Sequence, residues 1–181
     1  MNETAPVSPA KSAVMFGVLF GVIIILELVI SYVSGIDPVT NPTFGIILNI
    51  LNFLVLPIVF IVVTVNNFKK VNFGFISLGQ CLKIGVSLCL IAGLIYALFN
   101  TVFMMIFPEY LENIMRSYRT VMLQNQPEMT AQQLEMALSM TRKTMQPAFM
   151  IPITLVMFSL IGLIYSLIIG LIVRKEKPQS F

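Results

Sequence analysis

The chain of 181 residues contains no histidine and only two cysteines, so the usual ligands of zinc and haem are missing. Cys81 and Cys89 lie eight residues apart in one apolar stretch, facing lipid or a reducing compartment, and we expect no disulfide between them. Charged residues make up 10% of the chain and hydrophobic residues 57%. Because a soluble protein of this length has no use for so much apolar surface, we expect an integral membrane protein without a metal or other cofactor.

Four apolar stretches are each long enough to cross a bilayer, which takes about 20 helical residues for ~30 Å of hydrocarbon. They run roughly from Ala13 to Ser34, Phe44 to Val65, Ile84 to Phe107 and Ala148 to Val173. The first is longer than the apolar part of a signal peptide and contains Glu27, so we expect a retained span. The sequence predicts an all-α membrane protein with four transmembrane helices, forming a single domain over residues 1–181.

Positive charges are grouped near the ends of the spans on one side of the membrane. The residues on that side are Lys11, Lys69, Lys70, Lys83, Arg174, Lys175 and Lys177. The other side has Asp37 in a short loop and basic residues spread over residues 108–147. Because cationic residues close to spans stay in the cytoplasm, we expect a multi-pass membrane protein with both termini cytoplasmic. The net charge of +3 then reflects topology, and we expect no nucleic-acid partner.

The long loop, residues 108–147, shows helical periodicity in two segments. The recurring residues are Leu111, Met115, Tyr118 and Met122, and then Leu134, Leu138, Thr141 and Met145. Thr130 and Gln133 resemble a capping box at the start of the second segment, and residues 125–128 form the turn. We expect an extracytoplasmic helical hairpin between the third and fourth spans, standing upright with its apolar stripes packed together. The alternative is two amphipathic helices lying flat on the lipid.

Glu27 is the carboxylate that lies near the middle of a span, about 10 Å along the helix axis from Ser34. Because a charged carboxylate facing lipid is costly, we expect its side chain to turn inward. Polar residues at similar depth in the other spans complete an expected intramembrane polar layer: Asn49, Asn52, Asn100 and Thr154. Two interpretations are open. Glu27 is either a hydrogen-bonded group that fixes the order of the helices or a group that binds a proton or ligand.

Small residues recur at four-residue spacing on two of the spans. They are Gly17 and Gly21 on the first span, and Gly162, Ser166 and Gly170 on the fourth. This spacing lets helix backbones approach closely within a membrane. The pattern is compatible with tight packing inside one bundle and with a homo-oligomer.

Three segments carry a resemblance to a known family. They are Phe73-Gly-Phe-Ile-Ser-Leu-Gly-Gln80 leading through Lys83 to Gly85, Phe107-Pro-Glu-Tyr110, and Gly162-Leu-Ile-Tyr-Ser-Leu-Ile-Ile-Gly170 before Arg174-Lys-Glu-Lys177. Together they are similar to the domain-of-unknown-function 4199 family, small membrane proteins chiefly of Bacteroidota. The resemblance covers nearly the whole chain. It implies a four-span inner-membrane protein with a helical outer loop, and it implies no activity and no catalytic residues.

Two classes of function agree with these features. The first is a non-enzymatic membrane subunit or scaffold that binds another envelope protein or a lipid through its outer hairpin. The second is a small oligomeric transporter or channel that uses the polar layer around Glu27. We do not expect an enzyme, because no nucleophile in the sequence has an evident base beside it.

Overall fold

The computed structural model describes residues 8–176, so Lys177 lies outside the described residues. Within this range four helical segments are long and apolar enough to cross a membrane, and a helical hairpin joins the third to the fourth. The predicted fold class is therefore confirmed. The elements are α1 (Pro9–Ser34), α2 (Pro42–Ile50), a π-helical segment (Leu51–Val55), α3 (Leu56–Val71), α4 (Leu78–Ile106), α5 (Pro108–Asn125), α6 (Ala131–Thr144) and α7 (Pro147–Val173).

The helices extend beyond the apolar stretches because local chemistry, and not hydropathy, sets their ends. The third span was expected to start at Ile84, but α4 begins at Leu78. There the Ser77 and Gln80 side chains cap each other's backbone N–H groups in a capping box. At the other end of the bundle, α1 stops at Gly35, whose φ of 67° is in the left-handed region that glycine adopts at low cost.

Helix α4 is the centre of the bundle, with α1 packed on one flank and α7 on the other. The contacts with α1 are close at Gly17 and Gly21: a Cβ added at Gly17 would lie 2.8 Å from the Leu88 carbonyl oxygen, and one at Gly21 would lie 3.0 Å from Ile95 Cβ. Both predicted small residues of α1 thus face α4 inside the same bundle.

The contact between α4 and α7 is equally close. A Cβ added at Gly162 would lie 3.0 Å from the Gly85 carbonyl carbon, and one at Gly170 would lie 2.8 Å from Leu78 Cδ1. Ser166 between them is fully buried, and its hydroxyl donates to the Gly162 carbonyl. A larger side chain at residue 162, 166 or 170 would push α4 and α7 apart.

The second span changes its winding near its middle, where the π-helical segment precedes Pro57. Proline has no N–H, so the carbonyl of Phe53, four residues earlier, loses its helical donor. The Tyr165 hydroxyl on α7 donates to that carbonyl at 2.9 Å. A neighbouring helix therefore supplies the hydrogen bond that the Phe53 carbonyl lacks, as is usual for proline within a membrane span.

The hairpin arms α5 and α6 pack through the two apolar stripes predicted from the sequence. Met115, Leu134 and Leu138 form the buried centre of the hairpin. Thr130 and Gln133 make the expected capping box at the start of α6. Two exposed ion pairs, Arg119–Glu135 at 3.3 Å and Arg142–Glu112 at 2.9 Å, join the arms. Because exposed pairs contribute at most about 1 kcal/mol each, the apolar contact is the main source of hairpin stability.

The first arm of the hairpin leans over the neighbouring end of the bundle instead of continuing the axis of α4. Phe107 interrupts the helix with φ −119° and ψ 74°. Three turns later, the Ser117 hydroxyl donates to the Asp37 carboxylate in the loop between α1 and α2. We call this the hairpin end of the bundle, and the opposite end, near residues 9 and 173, the terminal end.

At the terminal end, the last residues of α7 are bound to the turn between α3 and α4. Ile76 and Lys175 exchange two backbone hydrogen bonds of 2.9 Å. The Lys69 ammonium donates to the Val173 carbonyl at 3.2 Å, where a cation also complements the negative end of the α7 dipole. These contacts hold the terminal end of α7 beside α3 and α4.

Gly162→Ala should destabilise the protein by about 1–3 kcal/mol, because its methyl group would meet backbone atoms of Gly85 that cannot rotate away. Gly79→Ala is the matched control, since a Cβ at Gly79 meets nothing within 4 Å. Thermal unfolding of the purified variants in mild detergent measures the difference. Equal melting temperatures for the two variants would contradict the close α4–α7 contact.

Candidate functional site

A cavity of about 320 Å³ lies at the hairpin end, between α1, the second span, α4 and the first arm of the hairpin. Its bundle side includes Glu27, Asn52 and Tyr96, and its hairpin side includes Tyr110 and Tyr118. Apolar side chains such as Ile24, Leu48 and Ile114 make up most of the remaining wall. The cavity therefore combines an apolar interior with a few polar groups, as small-molecule and lipid sites do.

Glu27 and Asn52 form the polar contact at the floor of this cavity. The Asn52 side-chain amide donates to Glu27 Oε2 at 2.6 Å, joining α1 to the second span. Asn52 belongs to the π-helical segment, in which the extra residue per turn changes the direction of the side chains. The Asn52 Oδ1 atom is buried, and no donor reaches it within the described part of the chain.

The other residues of the predicted polar layer lie apart from this pair. Asn49 is exposed on the surface of α2. Asn100 is 5% exposed, and its amide donates to Met150 Sδ at 3.2 Å, which pairs α4 with α7. Thr154 is half-buried on α7 and does not line the cavity. The structure thus brings together Glu27 and Asn52, and it places the remaining three outside this pair.

The hairpin is fastened to the bundle beside the cavity. The Tyr32 hydroxyl on α1 donates to Glu109 Oε1 at 2.9 Å. The Tyr32 ring packs edge-on against Phe103 and Tyr110, with centroid distances of 5.2 and 5.7 Å. Together with the Ser117–Asp37 hydrogen bond, these contacts fix the position of α5 over the cavity.

Sequence analysis did not identify the hairpin's contribution to this site. Tyr118 was assigned to the apolar stripe of the hairpin, where it does pack, but it also reaches the cavity wall. Tyr110 lies two turns earlier on α5 and also lines the cavity. Burial, supported by the nearby Tyr96 and Asp37, raises the pKa of Tyr110, so that its hydroxyl stays protonated. The clearest indication of this contribution in the sequence is the pair Tyr110 and Tyr118, two tyrosines eight residues apart after the third span.

The polar side chains of the cavity lining are few and are not grouped as metal ligands. Within residues 8–176 no three His, Cys, Asp or Glu side chains are grouped to hold a metal ion. Both cysteines are buried and unpaired on α4, away from the cavity lining. The polar groups present accept and donate hydrogen bonds around an apolar space.

Comparison with protein families gave one informative result. The family model described as "Protein of unknown function (DUF4199)" matches residues 15–175, which is most of the chain. Searches of curated proteins and of solved structures found no match.

Glu27→Leu should lower the free energy of unfolding by about 1–3 kcal/mol, because it leaves the buried Asn52 amide without its acceptor. Glu27→Gln should stay close to wild type, since the glutamine oxygen accepts the same hydrogen bond. Asn49→Leu, at the exposed asparagine of the same span, is the control. Thermal unfolding in detergent ranks the stabilities of wild type and the three variants. If glutamine and leucine at residue 27 were equally harmful, the bond to Asn52 would not be the source of the stability.

Proposed function

Because the chain belongs to the DUF4199 family of proteins of unknown function, we propose its role from the geometry: a non-enzymatic membrane protein that binds a lipid-like amphiphile between bundle and hairpin. The sequence left two partners for the hairpin, another envelope protein or a lipid. The observation that favours a lipid is the cavity itself. It is largely apolar, it lies partly within the spans, and its lining includes a few polar groups, among them Glu27 and Asn52.

A transporter or channel is the second candidate, supported by the intramembrane Glu27–Asn52 pair beside a π-helical segment. The packing towards the terminal end argues against a pathway through a single copy. Phe20, Ile61 and Leu88 are fully buried there, and Phe20 stacks on Phe60 at 5.4 Å. A transport pathway would have to pass between copies of the chain, whereas a binding site needs only the cavity.

We further propose that the hairpin lies outside the cytoplasmic membrane and both termini inside. The support is the set of cationic residues at the terminal end, including Lys69, Lys70 and Lys175. In intact cells, Gln126→Cys at the hairpin tip should react with a membrane-impermeant maleimide, and Lys70→Cys should not. The native Cys81 and Cys89 are buried and give little background. Labelling at residue 70 and protection at residue 126 would reverse the orientation.

The binding proposal predicts that purified protein keeps phospholipid in the cavity. Ile114→Trp should fill part of the cavity and lower the bound lipid several-fold, as counted by native mass spectrometry of protein extracted in mild detergent. Met105→Trp is the matched control, because Met105 is 77% exposed near the hairpin end and lies outside the cavity lining.

Three results of that experiment are informative. Lipid loss in Ile114→Trp but not in Met105→Trp supports the cavity as the site. Equal lipid counts in both variants and in wild type would overturn the proposal. The third result is that wild type retains no lipid and that Ile114→Trp keeps a protein partner in stoichiometric amount. It would overturn the lipid proposal and support a scaffold for an envelope protein.

A further inference from the structure

The cavity has negative charge without a matching positive charge. Two carboxylates, Glu27 and Asp37, are among its lining residues, whereas no lysine or arginine in the described chain lines it. Arg116 bonds to the Asn113 amide oxygen at 3.0 Å, but its side chain lines a separate groove between the hairpin arms. An ionised carboxylate in an apolar space is costly unless an opposite charge or several donors face it.

The polar atoms around Glu27 supply too few donors for the acceptors present. Asn52 gives its amide to Glu27, which leaves the buried Asn52 Oδ1 without a donor. Asp37 already accepts from the Val39 amide at 2.8 Å and from Ser117. A ligand group that brings several N–H donors would satisfy the Glu27 carboxylate, which in the described chain accepts from Asn52 alone.

Aromatic rings complete the surroundings. Tyr96 of α4 and Tyr32, Tyr110 and Tyr118 all line the cavity. Aromatic rings attract ammonium groups by cation–π interaction. A lining that holds two carboxylates and four tyrosines is therefore complementary to a cation with an apolar body.

Other ligand classes fit these observations less well. An anionic headgroup would meet two carboxylates and no cation. A bare metal ion would lack a grouped set of ligands, and most of a 320 Å³ space would remain unfilled. A neutral lipid would fill the apolar part but leave the charge of Glu27 uncompensated.

We propose that the cavity binds the ammonium group of an amphiphile, which lies between Glu27 and the tyrosines. This proposal rests on the proposed function, that the cavity holds an amphiphile, and adds the chemistry of its head. The ammonium group has two possible sources, the headgroup of an aminophospholipid and a free long-chain amine. In both, the apolar tail lies among Ile24, Leu48 and Ile114.

The test uses the full chain in mild detergent with competing probes and native mass spectrometry. Dioleoylphosphatidylethanolamine competes with dioleoylphosphatidylglycerol, and dodecylamine competes with dodecanol. We expect wild type to prefer each amine roughly tenfold, as a charge-assisted hydrogen bond implies. Glu27→Gln should bring the preference close to one, because it removes the charge and keeps the bond to Asn52. Glu128→Gln, at an exposed residue of the hairpin tip, removes the same charge and should keep the preference.

A change in the ligand provides a second test that requires no variant. N-acetyldodecylamine has lost its charge, and wild type should bind it no better than dodecanol. If dodecylamine fails to displace bound phosphatidylethanolamine, the source of the ammonium group is the lipid headgroup. If dodecylamine displaces it readily, the source is a free amine. Equal binding of amine and alcohol by wild type, or an unchanged preference in Glu27→Gln, would overturn the proposal.

Failure of this inference differs from failure of the binding function. If Ile114→Trp removes bound lipid but wild type does not discriminate between headgroups, the cavity binds amphiphiles and the ammonium assignment is wrong. If Ile114→Trp has no effect on any probe, the cavity is not the binding site and both proposals fail.

Discussion

The close contact of α4 with its two neighbours is the constraint on which the rest of the structure depends. Within a bilayer, lipid tails are as apolar as leucine, so helices associate through van der Waals contact and a few hydrogen bonds. Glycine at residues 17, 85 and 162 lets the backbones approach to distances at which a Cβ would meet carbonyl atoms. α4 thereby acts as the shared partner of α1 and α7, and the second span packs against the three-helix group so formed.

This tight packing is confined largely to the terminal half of the bundle. The last buried residue of α1 is Ile24, the first of α3 is Pro57, and the first of α7 is Phe158. Gly45 is the buried residue of α2, and the π-helical segment has none. Towards the hairpin end the helices therefore enclose space instead of filling it. Glu27 lies one turn beyond Ile24, at the point where the tight core gives way to the cavity.

The sequence predicted the parts of this structure that follow from periodicity and capping. The spans and both arms of the hairpin came from such local signals. It did not single out Asn52 from the other polar residues of the expected layer as the partner of Glu27, because the π-helical segment alters which face of the second span Asn52 occupies. It also missed Tyr118 as a cavity residue. The lean of α5 was not predicted: Pro108 disfavours helical dihedral angles at Phe107, but the direction that α5 then takes is set by its contacts with Tyr32 and Asp37.

The cavity couples two regions that the sequence suggested as separate binding elements. One wall belongs to the membrane spans and the other to the hairpin, and the wall on the hairpin side is held by Tyr32–Glu109 and Asp37–Ser117. An amphiphile that contacts both Glu27 and Tyr118 would add to these contacts and favour the leaning position of α5. By thermodynamic reciprocity, an envelope protein that prefers the hairpin in that position would tighten binding of the amphiphile to the same degree. If both proposed partners bind, lipid binding and protein binding would be two readouts of one hairpin position, and the intramembrane carboxylate and the polar hairpin would act on the same equilibrium.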